Sequence, residues 1–393
     1  MNKLRILIAH CHYQQAGGED LVAAAETTLL ERHGHEVRLY ERDNDDVERL
    51  GRMRLALESV WSARTLRDVT AMVAEYRPDV VHVHNTFPLI SPSLYWAAHR
   101  MSIPVVQTLH NFRLLCPQAM FLRAGRVCED CLGKIPWRAV MHKCYRDSAG
   151  ASGVTALMLG VHRGLGSFRD KVTRYIALNR FCRNKFIEGG LPPDKIAIKP
   201  NFVDLPAPAD SARSGGLYVG RLSPEKGIRT LLGALAKRPN IEFEIIGDGP
   251  EPVDSRVPRL PWQSEETIYR RMRRAAYLVI PSLWYETGPR TLMEAFGCGL
   301  PVIASRLGAI AEQIDEGKTG LLFEPGSADE LSEKIIWAET HSGEMAQMGV
   351  NARLAYQARY TPEKNYERLM EIYSEAISVV NPAAAQRVVS AGI

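Results

Sequence analysis

The sequence predicts an α/β protein with two doubly wound domains, and three observations indicate this fold class. Short apolar runs alternate with longer stretches whose apolar residues recur at helical spacing, which favours parallel sheets covered by helices on both faces. A proline-rich segment, FVDLPAPADSARSGG, divides this alternation into two series. The chain has 393 residues, of which 46% are hydrophobic, and this is enough apolar material for two cores.

The first series predicts an N-terminal domain over 1–205. A glycine loop at Gly17 and Gly18 separates the first strand from the first helix, and a basic, cysteine-rich insertion near 112–147 interrupts the later part. The predicted strands are LRILIAH, VRLY, DVVHVH, IPVVQTLH, RYIALN and KIAIKP, with helices at EDLVAAAETTLLERHG and around Leu55, Val69 and Tyr95.

The second series predicts a C-terminal domain over 206–362. A helix over 363–380 is expected to pack across the linker, and 381–393 is expected to be a tail. Ligands of such sheets bind beyond the carboxyl ends of the strands, so we expect a large polar ligand in a cleft between two facing domains. The predicted strands are GLYVG, IEFEIIGDG, AAYLVIPS, LPVIAS and TGLLF, with helices starting near Lys226, Glu265, Arg290 and Ala328.

Composition excludes several classes of protein. No apolar run approaches the ~20 residues of a membrane-spanning helix, and the run over 4–9 is too short for the core of a signal peptide. We therefore expect a cytoplasmic protein that is soluble or peripheral on the inner face of the membrane.

Basic residues are concentrated in the first half of the chain. Residues 1–205 contain 28 Lys and Arg against 21 Asp and Glu, and 100–185 contain 15 against 4, although the net charge is only +4. This segment suits an anionic surface or ligand, and a solvated basic face is the alternative. A nucleic-acid partner is not expected, because the basic residues follow no recognisable binding motif.

Four of the seven cysteines are clustered in the insertion. The central CEDC is a Cys-x-x-Cys pattern that can present two thiolates to one tetrahedral ion, so the cluster predicts a structural zinc site. Four ordinary buried thiols are the alternative interpretation. The predicted ligands are Cys116, Cys128, Cys131 and Cys144.

The segment GRLSPEKG predicts a phosphate-binding turn. It leaves a predicted strand and enters a helix, which places Arg221 and Lys226 around a turn that has unpaired N–H groups at the helix start. Two cations and a helix N-terminus suit a diphosphate.

A second motif, PSLWYETGPRTLMEAFG, places two carboxylates beside a turn. Glu286 precedes the turn, and Glu294 lies eight positions later in the helix that the turn opens. Carboxylates hydrogen-bond well to sugar and ribose hydroxyls, and amides of the turn can hold a second phosphate group. The turn consists of Gly288, Pro289, Arg290 and Thr291.

Two polar patterns have less specific interpretations. Asp43-Asn44-Asp45 has the Asp-x-Asp form that binds a metal–nucleotide complex in other folds, but its place after a strand favours a helix cap. His82 and His84 alternate along a strand, so they share a side that is either part of a binding site or a hydrogen-bonded core.

Taken in order, the glycine loop, the His-x-His pair, TLHNF, PNFVD, GRLSPEKG, GDGP and Glu-x7-Glu resemble family 4 of the retaining, nucleotide-sugar glycosyltransferases over nearly the full chain. The resemblance implies the GT-B architecture, in which two Rossmann-like domains face a cleft. The acceptor then lies mainly on the N-terminal domain, and the UDP- or GDP-sugar lies mainly on the C-terminal domain. It also implies that no catalytic metal is needed.

The resemblance implies a role for individual residues. Arg221 and Lys226 match the diphosphate contacts, Glu286 matches the contact to donor-sugar hydroxyls, and Glu294 matches the ribose contact. His110 matches the residue near the reacting carbon, and Gly18 matches the glycine loop beside the donor.

The chain also departs from the family pattern. Asn111 replaces the aspartate that follows the histidine in many relatives, and Thr287-Gly288-Pro289 replaces a Gly-Phe-Gly run. The proline has no N–H, which changes the number of amides that can contact phosphate. The insertion resembles that of a bacterial subgroup that assembles surface polysaccharides, which implies a glycan or a polyprenyl-diphosphate-linked acceptor. A nucleotide-sugar epimerase or hydrolase and a non-catalytic sugar-nucleotide-binding subunit are the alternatives.

Overall fold

A computed structural model describes residues 3–14, 17–206, 212–238, 240–254 and 257–382. Most of the predicted tail over 381–393 and part of the proline-rich linker lie outside the described residues. The described residues form fourteen strands: β1 Arg5–His12, β2 Glu36–Asp43, β3 Val80–Val83, β4 Val105–Leu109, β5 Leu122–Arg123, β6 Arg126–Val127, β7 Arg174–Ala177, β8 Ile196–Ile198, β9 Gly216–Val219, β10 Phe243–Ile246, β11 Arg259–Leu260, β12 Tyr277–Ile280, β13 Val302–Ser305 and β14 Gly320–Phe323.

Fifteen α-helices occur among the same residues. They are α1 Gly18–Arg32, α2 Arg52–Val60, α3 Ala63–Tyr76, α4 Ser93–Arg100, α5 Arg138–Met141, α6 Ala149–Gly164, α7 Ser167–Asp170, α8 Arg180–Glu188, α9 Ile228–Ala236, α10 Glu265–Arg274, α11 Arg290–Gly297, α12 Gly308–Gln313, α13 Ala328–Thr340, α14 Ser342–Arg359 and α15 Pro362–Val380. Short 3-10 helices cover Asn44–Arg49, Pro193–Lys195 and Pro224–Lys226.

The N-terminal unit contains a six-stranded parallel sheet in the order β2-β1-β3-β4-β7-β8. It consists of the described residues of Met1–Met120, Glu129–Lys199 and Tyr366–Ile393. Its central strands are apolar and fully buried, as expected for a sheet with helices on both faces.

The C-terminal unit repeats this design with a parallel sheet in the order β11-β10-β9-β12-β13-β14. It consists of the described residues of Phe121–Cys128 and Pro200–Asn365. The two sheets confirm the predicted fold class of two doubly wound α/β units, and every strand run that the sequence predicts is present.

The boundaries of the units differ from the predicted ranges in two places. The short hairpin of β5 and β6 lies within the predicted N-terminal domain but belongs to the C-terminal unit, where the Phe121 ring meets the Tyr285 ring edge-on at 6.3 Å. Most of α15 belongs to the N-terminal unit, because Leu369, Ile372 and Tyr373 are buried in the same apolar cluster as residues of β1 and β3.

The helix predicted near Lys226 begins at Ile228, after the 3-10 turn Pro224–Lys226. Gly227 joins the 3-10 turn to α9 and has a φ of 71°, a backbone angle that residues with a side chain rarely adopt. A Cβ at this position would also overlap the carbonyl oxygen of Pro281. Among the described residues, no helix combines the length and the apolar composition that a membrane-spanning segment requires.

Candidate active site

The turn after β9 lies at the carboxyl edge of the C-terminal sheet. Glu225 organises it: its side chain accepts hydrogen bonds from Ser223 Oγ at 2.6 Å and Arg221 Nη2 at 3.0 Å, and its carbonyl oxygen accepts from the Leu283 N–H. The Arg221 side chain is 57% exposed, so its pair with Glu225 contributes only about 0–1 kcal/mol. Arg221 can therefore turn to an anionic ligand at little energetic cost.

Lys226 and Glu286 are brought together although they lie 60 positions apart. Lys226 Nζ donates to Glu286 Oε1 at 2.6 Å, and the same oxygen accepts from Ser282 Oγ at 2.8 Å and Trp284 Nε1 at 3.1 Å. The ammonium also lies 5.5 Å from the centroid of the Trp284 ring. One partly exposed cation and one buried carboxylate are thus fixed side by side at the end of β12.

Glu294 lies in α11 and is almost fully buried. Burial raises its pKa to about 6, against the opposing charge of Arg290, whose Nε lies 2.9 Å from Glu294 Oε1. Tyr269 donates to the same oxygen at 3.4 Å, and Arg290 Nη2 also contacts Glu265 Oε1 at 2.5 Å. Glu294 is therefore a buried side chain whose carboxylate can accept hydrogen bonds from hydroxyl groups.

The predicted turn before α11 contributes few amides. Pro289 is the N-cap residue and has no N–H, while its carbonyl oxygen accepts from the Leu292 N–H. The first helical N–H groups thus belong to Arg290 and Thr291. Gly288 precedes the cap in irregular structure.

His110 lies at the end of β4 in the N-terminal unit and is buried. Its Nε2 is 2.9 Å from His84 Nδ1, and burial holds the pKa of both rings well below the ordinary value. Both imidazoles are therefore neutral near pH 7, and a single proton lies between His84 Nδ1 and His110 Nε2. A cavity at this edge of the sheet is lined by residues that include His84, His110, Asn111 and Arg113.

The two histidines of the His-x-His pair belong to a buried polar cluster. His82 contacts Tyr373 Oη at 2.7 Å and Thr108 Oγ1 at 2.8 Å, and Lys199 Nζ donates to Glu26 in the same region. The other oxygen of Glu26 lies 3.7 Å from His84 Nε2. The core interpretation of this pair is the one that the structure favours, with His84 linking the core to His110.

Glu19 is a candidate site residue that sequence reasoning missed. Its Oε2 accepts from Tyr13 Oη at 2.8 Å and Asn111 Nδ2 at 3.2 Å, and burial raises its pKa to about 7. An aspartate at position 111 would place a second carboxylate against Glu19. Asparagine at position 111 therefore avoids a second carboxylate beside Glu19. This replacement of the family's aspartate was the one signal in the sequence that could have indicated Glu19.

The glycine loop is described from Gly17 onward. Gly18 is the first residue of α1, and a Cβ added there would meet no atom within 4 Å among the described residues. Asp20 Oδ2 accepts from the Gly17 N–H at 2.7 Å and fixes the loop to the first turn of the helix. The packing of the described chain thus does not itself require glycine at position 18.

The structure does not support the predicted zinc site of the four clustered cysteines. Among the described residues, two groups of three metal-ligating side chains have their ligand atoms within 4.8 Å, and neither contains a cysteine. The Asp-x-Asp pattern forms a cap, since Asp43 accepts from the Asp45 N–H at 2.8 Å.

Two parallel α/β units with polar clusters at the carboxyl edges of their sheets define a GT-B fold, and solved structures share it. The Anabaena protein HepE in complex with UDP has a TM-score of 0.67 at 18% identity, covering 94% of this chain and 100% of that chain. Sucrose-phosphate synthase from Thermosynechococcus elongatus has a TM-score of 0.70 at 16% identity, covering 96% and 100%.

Two models of glycosyltransferase families match the chain. The family described as Glycosyltransferase Family 4 matches residues 16–206, and the family described as Glycosyl transferases group 1 matches residues 215–355. The two matches together span most of the chain, and they identify it as a glycosyltransferase of GT-B fold that is similar to family 4.

Curated relatives carry glycosyltransferase names. An uncharacterized glycosyltransferase of Methanocaldococcus jannaschii is 29% identical over 170 residues, which are 41% of this chain and 48% of the relative. The sulfoquinovosyl transferase of Arabidopsis thaliana is 34% identical over 294 residues, 68% of this chain and 51% of the relative. The D-inositol 3-phosphate glycosyltransferase of Mycolicibacterium smegmatis is 26% identical over 318 residues, covering 76% and 68%. The chain spans about half the length of the first two.

Proposed function

We propose that the protein is a retaining glycosyltransferase that moves a sugar from a nucleotide-sugar donor to a glycan or lipid-linked acceptor in the synthesis of a cell-surface polysaccharide or glycoconjugate. The Lys226–Glu286 pair carries this proposal, because it fixes a cation for the diphosphate beside a carboxylate for sugar hydroxyls. The UDP and UDP-glucose complexes of the structurally similar HepE support a nucleotide-sugar donor.

The proposed reaction breaks the bond between the anomeric carbon and the diphosphate oxygen. Negative charge grows on the leaving diphosphate, and Lys226 and Arg221 stabilise it. The acceptor hydroxyl attacks the oxocarbenium-like carbon on the face that the leaving group vacates, and its proton passes to a phosphate oxygen. The new bond forms on the same face, so the configuration is retained. Neutral His110 donates a hydrogen bond to a sugar hydroxyl near that carbon.

Glu286 is proposed to bind the sugar and not to attack it. Its Oε1 already accepts from Lys226, Ser282 and Trp284, and three donors on one oxygen stabilise the carboxylate and weaken it as a nucleophile. Mass spectrometry of the enzyme after incubation with donor tests this proposal. A covalent glycosyl adduct on Glu286 would contradict it.

The donor is identified by calorimetry and thermal shift with UDP, GDP, ADP and their common sugar conjugates, without added divalent metal. A selective ligand raises the melting temperature because it binds the native state. Activity then requires an acceptor. Donor turnover that needs no acceptor would indicate an epimerase or hydrolase, and binding without turnover across a broad acceptor screen would indicate a non-catalytic relative.

We also propose that the N-terminal unit binds an anionic membrane surface. Helices α5 and α6 pack together, and four large apolar side chains in these helices and in the segment just before α5 are more than half exposed. Lys134, Arg138 and Lys143 lie in the same part of the chain. These residues suit an interface that inserts apolar groups and pairs cations with anionic headgroups. The exposed residues are Ile135, Trp137, Met141 and Leu157.

Flotation with liposomes tests the membrane proposal. Binding should increase with the anionic lipid fraction, weaken with salt, and fall when Trp137 and Met141 are both replaced by serine. Replacement of the exposed Val350 and Leu354, which lie in α14 of the C-terminal unit, is the matched control and should have no effect. Equal binding to neutral and anionic vesicles would contradict the proposal.

A further inference from the structure

Two histidines and an aspartate converge where β1 meets α1. His10 and His12 are two positions apart on β1, so their side chains lie on the same face of the strand. Asp20 comes from the first turn of α1, and its Oδ1 is 2.7 Å from His10 Nε2 and 3.5 Å from His12 Nδ1. All three ligand atoms lie within 4.8 Å of one another.

We propose that His10, His12 and Asp20 bind a divalent transition-metal ion of the zinc type. Two imidazole nitrogens and one carboxylate oxygen are a donor set that Zn²⁺ and its neighbours in the first row accept. Bonds of about 2.0–2.1 Å in a tetrahedron place ligand atoms about 3.3 Å apart. The two distances to Asp20 Oδ1 lie on either side of this value, so small side-chain movements make the site.

The ring of His12 is already oriented as a ligand. Its Nε2 lies 2.8 Å from Glu41 Oε1, and donation of the Nε2 proton to this carboxylate leaves the lone pair of Nδ1 facing Asp20. A carboxylate behind a histidine in this way fixes the tautomer and raises the basicity of the ligand nitrogen.

The Nε2 atom of His10 can exchange its hydrogen bond with Asp20 for a bond to a metal ion. Its other nitrogen, Nδ1, is buried and has no hydrogen-bond partner among the described residues. In neutral His10 the proton shared with Asp20 moves from Nε2 to Nδ1 as the ion binds, and in cationic His10 the Nε2 proton passes to solvent. The ion therefore takes the place of the proton at Nε2, and in neutral His10 the N–H formed at Nδ1 has no acceptor among the described residues.

Charge and access distinguish this site from the other group of converging ligands. Glu26, His82 and His84 also place three donors together, but all three are fully buried and Lys199 already neutralises Glu26. The proposed site instead combines Asp20 with nearby Glu41, and the side chain of His12 is 37% exposed. An ion can thus enter from solvent and keep water as its fourth ligand.

The ion would connect two segments of the N-terminal unit. Asp20 binds the Gly17 N–H through Oδ2 and would bind the ion through Oδ1. The end of β1, the glycine loop and the first turn of α1 would then be fixed by one centre. All three residues belong to the N-terminal unit, and the proposal does not rest on the proposed transferase reaction.

Titration of the chelator-treated full chain with Zn²⁺ alone tests the proposal. We expect one saturable equivalent by calorimetry and a higher melting temperature. His12→Ala should weaken binding at least 100-fold, and Glu41→Gln should weaken it about 10- to 100-fold. His142→Ala is the matched control, because it removes another exposed histidine, and it should leave the affinity unchanged.

Co²⁺ provides a spectroscopic readout of the same site. Bound Co²⁺ should give visible bands of a nitrogen–oxygen site without thiolate charge-transfer absorption, and His12→Ala should abolish these bands while circular dichroism shows an intact fold. Absence of a saturable equivalent, equal affinity of wild type and His12→Ala, or loss of binding in Cys128→Ser instead would each overturn the proposal.

Discussion

Lys226 provides the positive charge nearest the carboxylate at which we place the donor sugar. Replacing it with alanine should lower kcat by about 10²-fold or more, the scale expected when one stabiliser of transition-state charge is removed. Steady-state kinetics with saturating donor measures this loss. Arg221→Ala should also lower kcat, because Arg221 stabilises the same leaving diphosphate.

Lys237→Ala is the matched control for Lys226→Ala. Lys237 follows α9 in the same unit and pairs with Asp329, so its loss removes a lysine charge away from the turn. The control should retain normal turnover. A Lys226→Ala enzyme with a wild-type kcat would refute the assignment of charge stabilisation to this residue.

Glu294 should make donor binding depend on pH. Its pKa is raised to about 6 by burial, so the carboxylate that accepts ribose hydrogen bonds is lost as pH falls through about 6. Donor affinity in wild type should therefore decrease over this range. Glu294→Gln should bind donor about tenfold or more weakly at neutral pH, since hydrogen bonds to charged groups contribute about 1.5–3 kcal/mol.

Calorimetry at several pH values separates this role from a purely structural one. The Gln variant should lose the step near pH 6 while its melting temperature remains close to that of wild type. If the variant and wild type bind donor with the same pH dependence, Glu294 does not contact the donor.

At the scale of the element, the turn after β9 depends on one glycine. Gly227 has φ of 71°, and an added Cβ would overlap the Pro281 carbonyl oxygen. Gly227→Ala should destabilise the protein by about 1–2 kcal/mol for the left-handed backbone and about 1–3 kcal/mol more for the overlap. A denaturation midpoint in urea measures the sum.

Gly317→Ala separates these two contributions. Gly317 has a similar φ of 74°, but a Cβ there would meet nothing within 4 Å among the described residues. The variant should therefore show only the backbone part of the loss. Equal destabilisation of the two variants would mean that contact with Pro281 does not restrict the turn.

The strands and helices could be predicted because their signals are local. Buried parallel strands such as β3 and β12 are continuous apolar runs, and the start of α11 was marked by the turn before Arg290. The 3-10 turn before α9 was missed, because a proline and a left-handed glycine shift the helix start by two residues without changing the apolar pattern.

Contacts between distant positions could not be predicted in the same way. The buried pair of Lys199 and Glu26 joins residues 173 positions apart, and Tyr373 in α15 reaches His82 across 291 positions. The motif residues Lys226 and Glu286 were predicted separately, but nothing local indicated that they share one hydrogen bond.

At the scale of the whole molecule, the candidate chemistry is divided between the two units. The residues assigned to the nucleotide and diphosphate, from Arg221 to Glu294, all belong to the C-terminal unit, whereas His110, Glu19 and the glycine loop belong to the N-terminal unit. Apart from the β5–β6 hairpin, the C-terminal unit is the continuous segment Pro200–Asn365, and α15 then completes the N-terminal core. Each unit therefore has its own sheet and its own polar cluster.

This division predicts where a bare nucleotide diphosphate changes local stability. Hydrogen exchange with and without the diphosphate that the donor screen selects should show slower exchange in the turn after β9 and at the start of α11, because a bound anion stabilises N–H groups and side chains that contact it. Lys226→Ala should reduce this protection in both segments. Protection confined to the N-terminal unit would contradict the donor assignment, since Arg221, Lys226 and Glu294 would then have no part in binding the nucleotide.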